Sequence, residues 1–321
     1  MLKVLLIKMS SMGDLVHNLP LVSDIRAHFP DAQIDWVAEE AYAPIPSLHP
    51  AVRQVIPVAW RRWRRSLGQA KTWQEMKAFA ATLRVVDYDL ILDTQGLYKS
   101  VVVALLAHGD IVGGDRSSIK EGGAALFYNK RLPISRARHV IERCRAVGAG
   151  ALGYAADTPP VFGICAEPLR AAWLPSDPYC VLMHAASRPE KLWPEAHWRA
   201  LGLYLQQRGL RAALPWGSPE ERARSERLAA LIPGAIVPPL MGLDVAARFL
   251  AGAELVVGLD TGFTHFAAAL ARPTVGIFCD SDGEQAAVYG DAYCKSFGKK
   301  GAPPPYDTIL CAVEAALESA V

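Results

Sequence analysis

Two doubly wound, Rossmann-like α/β domains are what three features of this sequence predict. Strand-like and helix-like segments alternate through both halves, a stretch rich in Gly, Ala and Pro separates them, and 321 residues exceed the size at which one hydrophobic core keeps growing. In the first half, Val4–Ile7 is a short apolar run of buried parallel type, and Leu15, Leu19, Val22, Ile25 and Phe29 follow at helical spacing. Further strands are expected near Ile34–Val37, Val55–Ile56, Leu90–Leu92 and Ile111–Val112, with helices near Leu15–Phe29, Thr72–Leu83, Ser100–Ala107 and Ala137–Val147. The second half repeats the alternation. Its strands fall near Tyr179–His184, Arg211–Leu214, Ala235–Val237, Leu255–Leu259 and Thr274–Phe278, its helices near Glu195–Gln207, Glu220–Leu231, Asp244–Ala251 and Gly262–Ala271. No amphipathic period persists between Gly148 and Asp177, which puts the linker near Ala156–Gly163. The domains are therefore expected at residues 1–158 and 159–305, followed by a helix in 306–321 that is able to pack back on the first domain. Two domains of similar size would leave a cleft, where ligand sites are favoured.

Composition narrows the class of protein. Hydrophobic residues make up 51% of the chain, but their runs are short, and none reaches the ~18 residues of a membrane helix. The sequence runs almost directly into its first strand without a signal-peptide cleavage pattern, so a cytoplasmic location is expected. Six scattered cysteines form no C-x-x-C pair and no zinc spacing, so reduced thiols and no metal are expected. A net charge of +2 argues against a nucleic-acid binder.

Four places carry candidate chemistry. The first strand breaks at Ser10-Ser11-Met12-Gly13-Asp14, a strand-to-helix turn of the kind that lies at the ligand edge of an α/β sheet. Asp14 there suits two roles, a cap of the next helix or a base that takes a proton from a substrate hydroxyl. His17 lies about one turn further on. In the second half, Leu255-Val-Val-Gly-Leu259 breaks at Asp260-Thr261-Gly262 and enters an alanine-rich helix, which turns free N–H groups and a positive dipole end toward any bound phosphate. The loop after His184 supplies Ser187, Arg188 and Lys191 ahead of a helix opened by Pro194. Two anion-suited helix starts in one half point to a nucleotide diphosphate. Finally, Trp60-Arg61-Arg62-Trp63-Arg64-Arg65 is either a surface for an acidic amphiphile or a solvated basic loop anchored by tryptophans.

Three marks together resemble the heptosyltransferases of glycosyltransferase family nine, which have the GT-B fold: Ser10-Ser11-Met12-Gly13-Asp14 with His17 and Pro20, Asp93-Thr94-Gln95-Gly96-Leu97-Tyr98-Lys99-Ser100, and Asp260-Thr261-Gly262 with His265. The resemblance spans nearly the whole chain. It implies an inverting transfer of L-glycero-D-manno-heptose from ADP-heptose to the inner Kdo of Kdo-lipid A in lipopolysaccharide core synthesis, at the cytoplasmic face of the inner membrane with peripheral contact. A related transferase adding heptose to heptose, or a nucleotide-sugar epimerase of the same architecture, is the alternative. By the same resemblance Asp14 is the general base, while Ser187, Arg188, Lys191, Thr261 and Gly262 hold the diphosphate. Asp260 touches the donor sugar with His265 beside it, Glu220 or its neighbour Glu221 meets the ribose, and Met241 walls the adenine. Ser10, Ser11, Gly13, His17, Arg61, Arg62, Arg64, Gln95 and Lys120 fall to the acceptor. No cofactor or metal is implied beyond the donor substrate. Lys120 stands where relatives often carry Arg, which replaces a forked contact by a point charge.

Overall fold

The computed structural model describes residues 1–281, 283 and 285–319. It divides into two compact units, Met1–Ile164 and Cys165–Val321.

In the first unit the strands are β1 (Lys3–Ile7), β2 (Gln33–Glu39), β3 (Val52–Val58), β4 (Asp87–Asp93), β5 (His108–Gly114) and β6 (Lys130–Leu132). They form one parallel sheet in the order β3-β2-β1-β4-β5-β6. The strand order reverses between β1 and β4, with Val4 opposite Leu90 and Ile7 opposite Asp93. Ligands bind outside the carboxyl ends of the strands at such a switch point, and both family-like motifs of this unit, after β1 and after β4, emerge there. The helices are α1 (Met12–Val16), α2 (Leu19–His28), α3 (Pro44–Ser47), α4 (Trp60–Trp63), α5 (Ala70–Leu83), α6 (Tyr98–Ala104) and α7 (Val140–Leu152), with a 3-10 turn at Gly122–Phe127. Leu5 and Ile7 join Phe79, Leu83, Val101, Ala104 and Tyr128 in the core on one face of the sheet.

The single helix expected over Leu15–Phe29 is two. Pro20 has no N–H to donate to the Val16 carbonyl, so the chain breaks at His17 and Asn18 and restarts with Pro20 in the first turn of α2. The basic run is not a loop either. Trp60–Trp63 forms one helical turn that buries Trp63 against Phe79, ring centroids 5.6 Å apart, and its indole N–H donates to Glu75 at 2.8 Å.

In the second unit β7 (Tyr179–Met183), β8 (Arg211–Ala213), β9 (Leu255–Leu259), β10 (Thr274–Ile277) and β11 (Cys294–Phe297) make a parallel sheet in the order β11-β10-β9-β7-β8. Its switch point lies between β7 and β9, the two strands that precede the predicted phosphate turns. Ala235–Val237 is reduced to a single parallel bridge, Ala213 to Ile236. The helices are α8 (Glu195–Gln207), α9 (Pro219–Ala229), α10 (Leu243–Ala251), α11 (Gly262–Ala269) and α12 (Tyr306–Glu318). One face of α12, with Ile309, Val313 and Ala316, enters the second unit's core beside Val257, Val275 and Ile277.

The boundary also sits later than the composition shift suggests. Arg145 on α7 donates to the Thr158 carbonyl at 2.7 Å, and Phe162 is buried, so Ala156–Gly163 is fastened to the first unit. The same guanidinium forks onto Asp24 of α2 at 2.7 and 2.9 Å, both side chains being almost fully buried. Removing one member of such a pair strands a buried charge. Arg145→Met is therefore expected to cost about 3–5 kcal/mol of stability, read as a lowered urea midpoint, with Asp24→Asn added to the same chain recovering part of the loss.

Candidate active site

The turn after β1 is held by side chains from the loop after β4. Gln95 accepts from the Met9 and Ser10 amides at 2.8 and 3.1 Å and donates back to the Ser10 carbonyl. Lys99 donates to Ser10 Oγ at 2.7 Å, and Lys8 Nζ to the Thr94 carbonyl at 2.9 Å. That loop is shaped in turn by Asp93. One carboxylate oxygen accepts the Gln95 and Gly96 amides at 2.9 and 3.1 Å, the other the Ser100 and Tyr128 hydroxyls, each at 2.8 Å. Burial pushes the Asp93 carboxyl upward, and those four bonds work against the shift. Gly96 sits at φ +66°, and a Cβ there would lie 2.8 Å from Ile119 Cβ, so both backbone and space call for glycine.

On this support α1 begins, and Asp14 lies in its first turn. Its Oδ2 accepts from the Ser11 amide at 2.7 Å and the Ser11 hydroxyl at 2.8 Å, so the capping role is real. Oδ1 has no hydrogen-bond partner among the described residues. The half-buried carboxylate borders a cavity of about 270 Å³ within the first unit, together with Lys8, Gln95, Lys120, Arg143 and Cys144. Lys8 is 5% exposed and has no carboxylate within ion-pair distance among the described residues. A recess with one free carboxylate oxygen and three cations suits an anionic, hydroxyl-bearing ligand whose hydroxyl needs a base.

Of the expected acceptor residues, Asp14's neighbours Ser10, Ser11 and Gly13 lie on this turn, and Gln95 and Lys120 line the cavity. The Gln95 amide bonds the backbone of Met9 and Ser10 through its oxygen and one N–H, which leaves a second N–H on a residue that lines the cavity. His17 is buried, its ring edge-on to His139 at 6.1 Å. Arg61 and Arg64 are exposed, Arg61 with its guanidinium 5.2 Å from the centre of the Tyr42 ring. Arg62 is held by Glu40 at 3.1 Å and Glu75 at 2.6 Å. Lys8 and Arg143 were missed by sequence reasoning. Lys8 had a legible signal, a lone charge closing a buried strand; Arg143 on α7 had none.

In the second unit Asp260 closes β9 and gathers three donors. Lys191 Nζ and Ser281 Oγ each bond its Oδ2 at 2.6 Å, and His265 Nε2 lies 3.5 Å from Oδ1. Burial alone would raise this carboxyl, but the His265, Lys191 and Ser281 bonds outweigh it and hold it well below the usual carboxylate range. Thr261 precedes the first turn of α11, whose opening amides, Gly262 and Phe263, have no helical acceptor. Thr264 Oγ1 donates to the Leu259 carbonyl at 2.6 Å, locking strand to helix, and a Cβ on Gly258 would meet that oxygen at 2.3 Å. Lys191 thus stands at the switch point beside an open helix end, an arrangement able to hold a phosphate.

The remaining donor-side residues are spread along the same edge. Ser187 is exposed, and Arg188 is paired with Asp280 at 3.0 Å. Glu220 accepts from Ser218 Oγ at 2.8 Å, and its carboxyl is lowered by its own backbone N–H and by that hydroxyl. Glu221 accepts the Gly217 amide at 2.7 Å, and Met241 is half-buried just ahead of α10. His184, at the end of β7, bonds Ser225 of α9 at 2.9 Å; burial and the nearby Arg224 pull it down to about 3, so it is neutral.

The sequence pattern of glycosyltransferase family 9 (heptosyltransferase) matches residues 76–304. The chain belongs to this family and is a glycosyltransferase. Lipopolysaccharide heptosyltransferase 1 of Salmonella typhimurium is 44% identical over 293 residues, 90% of this chain and 92% of that one. The protein of the same name from Pseudomonas aeruginosa is 42% identical over 90% of this chain and 82% of its own length. Among solved structures, E. coli heptosyltransferase WaaC with ADP superposes with a TM-score of 0.88 at 39% identity, covering 98% of this chain and 100% of that one. E. coli ADP-heptose lps heptosyltransferase II, at 22% identity and a TM-score of 0.77, shares the fold. The two parallel-sheet units are those of the GT-B glycosyltransferases.

The depressed Asp260 carboxyl has a consequence for stability. Because its folded pKa lies below the unfolded one, its contribution is present above the ordinary carboxylate pKa and is lost as the pH falls through the folded value. Asp260→Asn should therefore flatten the acid limb of the stability curve between about pH 5 and pH 1, followed as urea midpoint against pH. An unchanged limb would show that its three bonds do not stabilise the charged form.

Proposed function

We propose that this chain transfers L-glycero-D-manno-heptose from ADP-heptose to the inner Kdo of Kdo-lipid A, with inversion. The single observation that carries the reading is Asp14: one carboxylate oxygen anchored on Ser11, the other without a hydrogen-bond partner among the described residues, on a residue that lines a recess together with Lys8, Lys120 and Arg143. An acceptor bearing carboxylates asks for cations, and its attacking hydroxyl asks for a base. The solved relatives with ADP and with ADP-2-deoxy-2-fluoro heptose support the donor class.

In the reaction the acceptor hydroxyl oxygen bonds to the anomeric carbon of heptose while the bond from that carbon to the phosphate oxygen breaks. The hydroxyl proton goes to Asp14, and ADP leaves with the bonding electron pair. Lys191 and the opening amides of α11 offset the charge that develops on the departing diphosphate. Asp260 keeps Lys191 in place until phosphate competes for it. Ser187, Arg188, Thr261 and Gly262 complete the diphosphate cradle, with the ribose falling to Glu220 or Glu221 and the adenine to Met241. The protein's own cations meet the charge in this scheme, so no metal is required. Arg61, Arg64 and Lys120 face the remaining acidic groups of the acceptor, and peripheral contact with the inner membrane follows from its lipid.

Asp14→Ala is expected to lower kcat by ~10²- to 10⁴-fold, with ADP affinity, measured by calorimetry, nearly unchanged. Turnover close to that of the unaltered chain would remove Asp14 from the mechanism. Lys191→Met should lower kcat about 10²-fold or more and weaken ADP binding as well. ADP release is to be measured with ADP-heptose alone, with Kdo-lipid A added, and with an already heptosylated acceptor. Release that depends on Kdo-lipid A supports the reading, release only with the heptosylated acceptor favours the heptose-to-heptose transferase, and consumption of donor without acceptor favours the epimerase.

A further inference from the structure

Of the two readings of the basic run, surface for an acidic amphiphile or loop anchored by tryptophans, the tryptophans follow the second: Trp63 is 6% exposed and Trp60 packs, partly buried, against the same core. The open apolar surface of the first unit lies elsewhere. Tyr98, Val102 and Leu105 recur at i, i+4 and i+7 and share one side of α6, opposite the fully buried Ser100 and Ala104. They are about half exposed, and on the adjoining 3-10 turn Leu126 and Phe127 are 71% and 50% exposed. The two elements touch, with the Tyr98 ring lying over Gly123, where a Cβ would come 2.0 Å from the phenol oxygen. Scattered exposed apolar side chains need no explanation, but five on two adjoining elements form a patch.

Its surroundings are cationic. Arg131 donates to the Leu126 carbonyl at 3.2 Å, the Arg116 side chain runs against Gly122, and Lys120 and Lys130 are exposed on either side of the turn. The two carboxylates nearest this stretch accept bonds from neutral donors and form no ion pair with these cations among the described residues. Glu121 accepts the Tyr98 amide at 2.6 Å, and Asp115 accepts the amides and hydroxyls of Ser117 and Ser118. Asp110 lies at the other end of β5.

We propose that this α6 and 3-10 face docks on an anionic lipid bilayer, the apolar side chains entering the headgroup boundary while Arg116, Arg131 and Lys130 pair with lipid phosphates. Apolar side chains flanked by cations that outnumber the nearby carboxylates and form no ion pair among the described residues are what such a surface selects, whereas the centre of a protein interface is depleted of lysine. The patch is continuous with the cavity, because Leu97, Ile119 and Lys120 line the recess and immediately precede the two elements. That continuity rests on the acceptor reading above, since it would keep a lipid-anchored acceptor at the recess. The docking itself does not.

The test is vesicle flotation of the full chain without any acceptor, comparing phosphatidylcholine vesicles with phosphatidylglycerol-rich ones. The unaltered protein is expected to float with the anionic vesicles only. Leu126→Ser/Phe127→Ser and, separately, Arg116→Gln/Arg131→Gln are expected to lower partition about tenfold or more. Trp73→Ser, at another exposed apolar position on α5, is expected to leave it unchanged. Circular dichroism melting and ADP affinity report whether each variant is folded. Failure of the unaltered chain to float, undiminished flotation of both double variants, or an equal loss in Trp73→Ser would overturn the proposal. A dimer that becomes monomeric in Leu126→Ser/Phe127→Ser without any change in flotation would overturn it in favour of a second copy. Since no acceptor is present, these outcomes are separate from failure of the transferase reading, which ADP release reports.

Discussion

The buried carboxylate of Asp93 is the constraint from which the first unit's site is built. Placed at the carboxyl end of a central strand and sealed from water, it must find donors or cost several kcal/mol. It finds four, and two of them are the amides that fold Thr94-Gln95-Gly96 into its particular turn. Gln95, aimed by that turn, then takes both amides of Met9 and Ser10 and returns a bond to the Ser10 carbonyl. Asp14 therefore inherits its position through a relay of hydrogen bonds that starts in the sheet. Gln95, which reads as an acceptor contact from its place in the motif, also serves as part of the scaffold.

Asp260 does the corresponding work in the second unit with a different outcome. It too stands at the end of a central strand beside a switch point, but its partners are a lysine, a histidine and a serine rather than backbone amides. The two aspartates are consequently pushed in opposite directions. Burial wins at Asp93, and the donors win at Asp260. The first fixes backbone, and the second holds a cation ready beside an open helix end.

The basic run shows how local composition misleads about exposure. Two tryptophans among four arginines suggest a sticky surface, yet Trp63 completes the core with Phe79, and Arg62 is bound by Glu40 and Glu75. Neither glutamate is near in sequence; β2 and α5 bring them. The apolar surface that is exposed comes from α6 and Gly122–Phe127; the unbroken apolar run Val101–Ala107 does not by itself show which of its residues face outward.

Alternation of apolar strands with amphipathic helices and the turns ending in Gly13-Asp14 and Thr261-Gly262 are matters of backbone geometry and period, and they are legible in the chain as written; the helix break at Pro20 is masked, because the apolar period runs on through it. Asp14's two roles could not be separated there, because capping and catalysis ask for the same residue at the same place. Only the tertiary structure decided that Ser11 occupies one carboxylate oxygen and that Lys8, Lys120 and Arg143, drawn from β1's end, the loop after β5 and α7, line the same cavity as Asp14. Such meetings depend on strand order and helix placement, which sum contacts over the whole sheet and leave no local mark on the residues that meet.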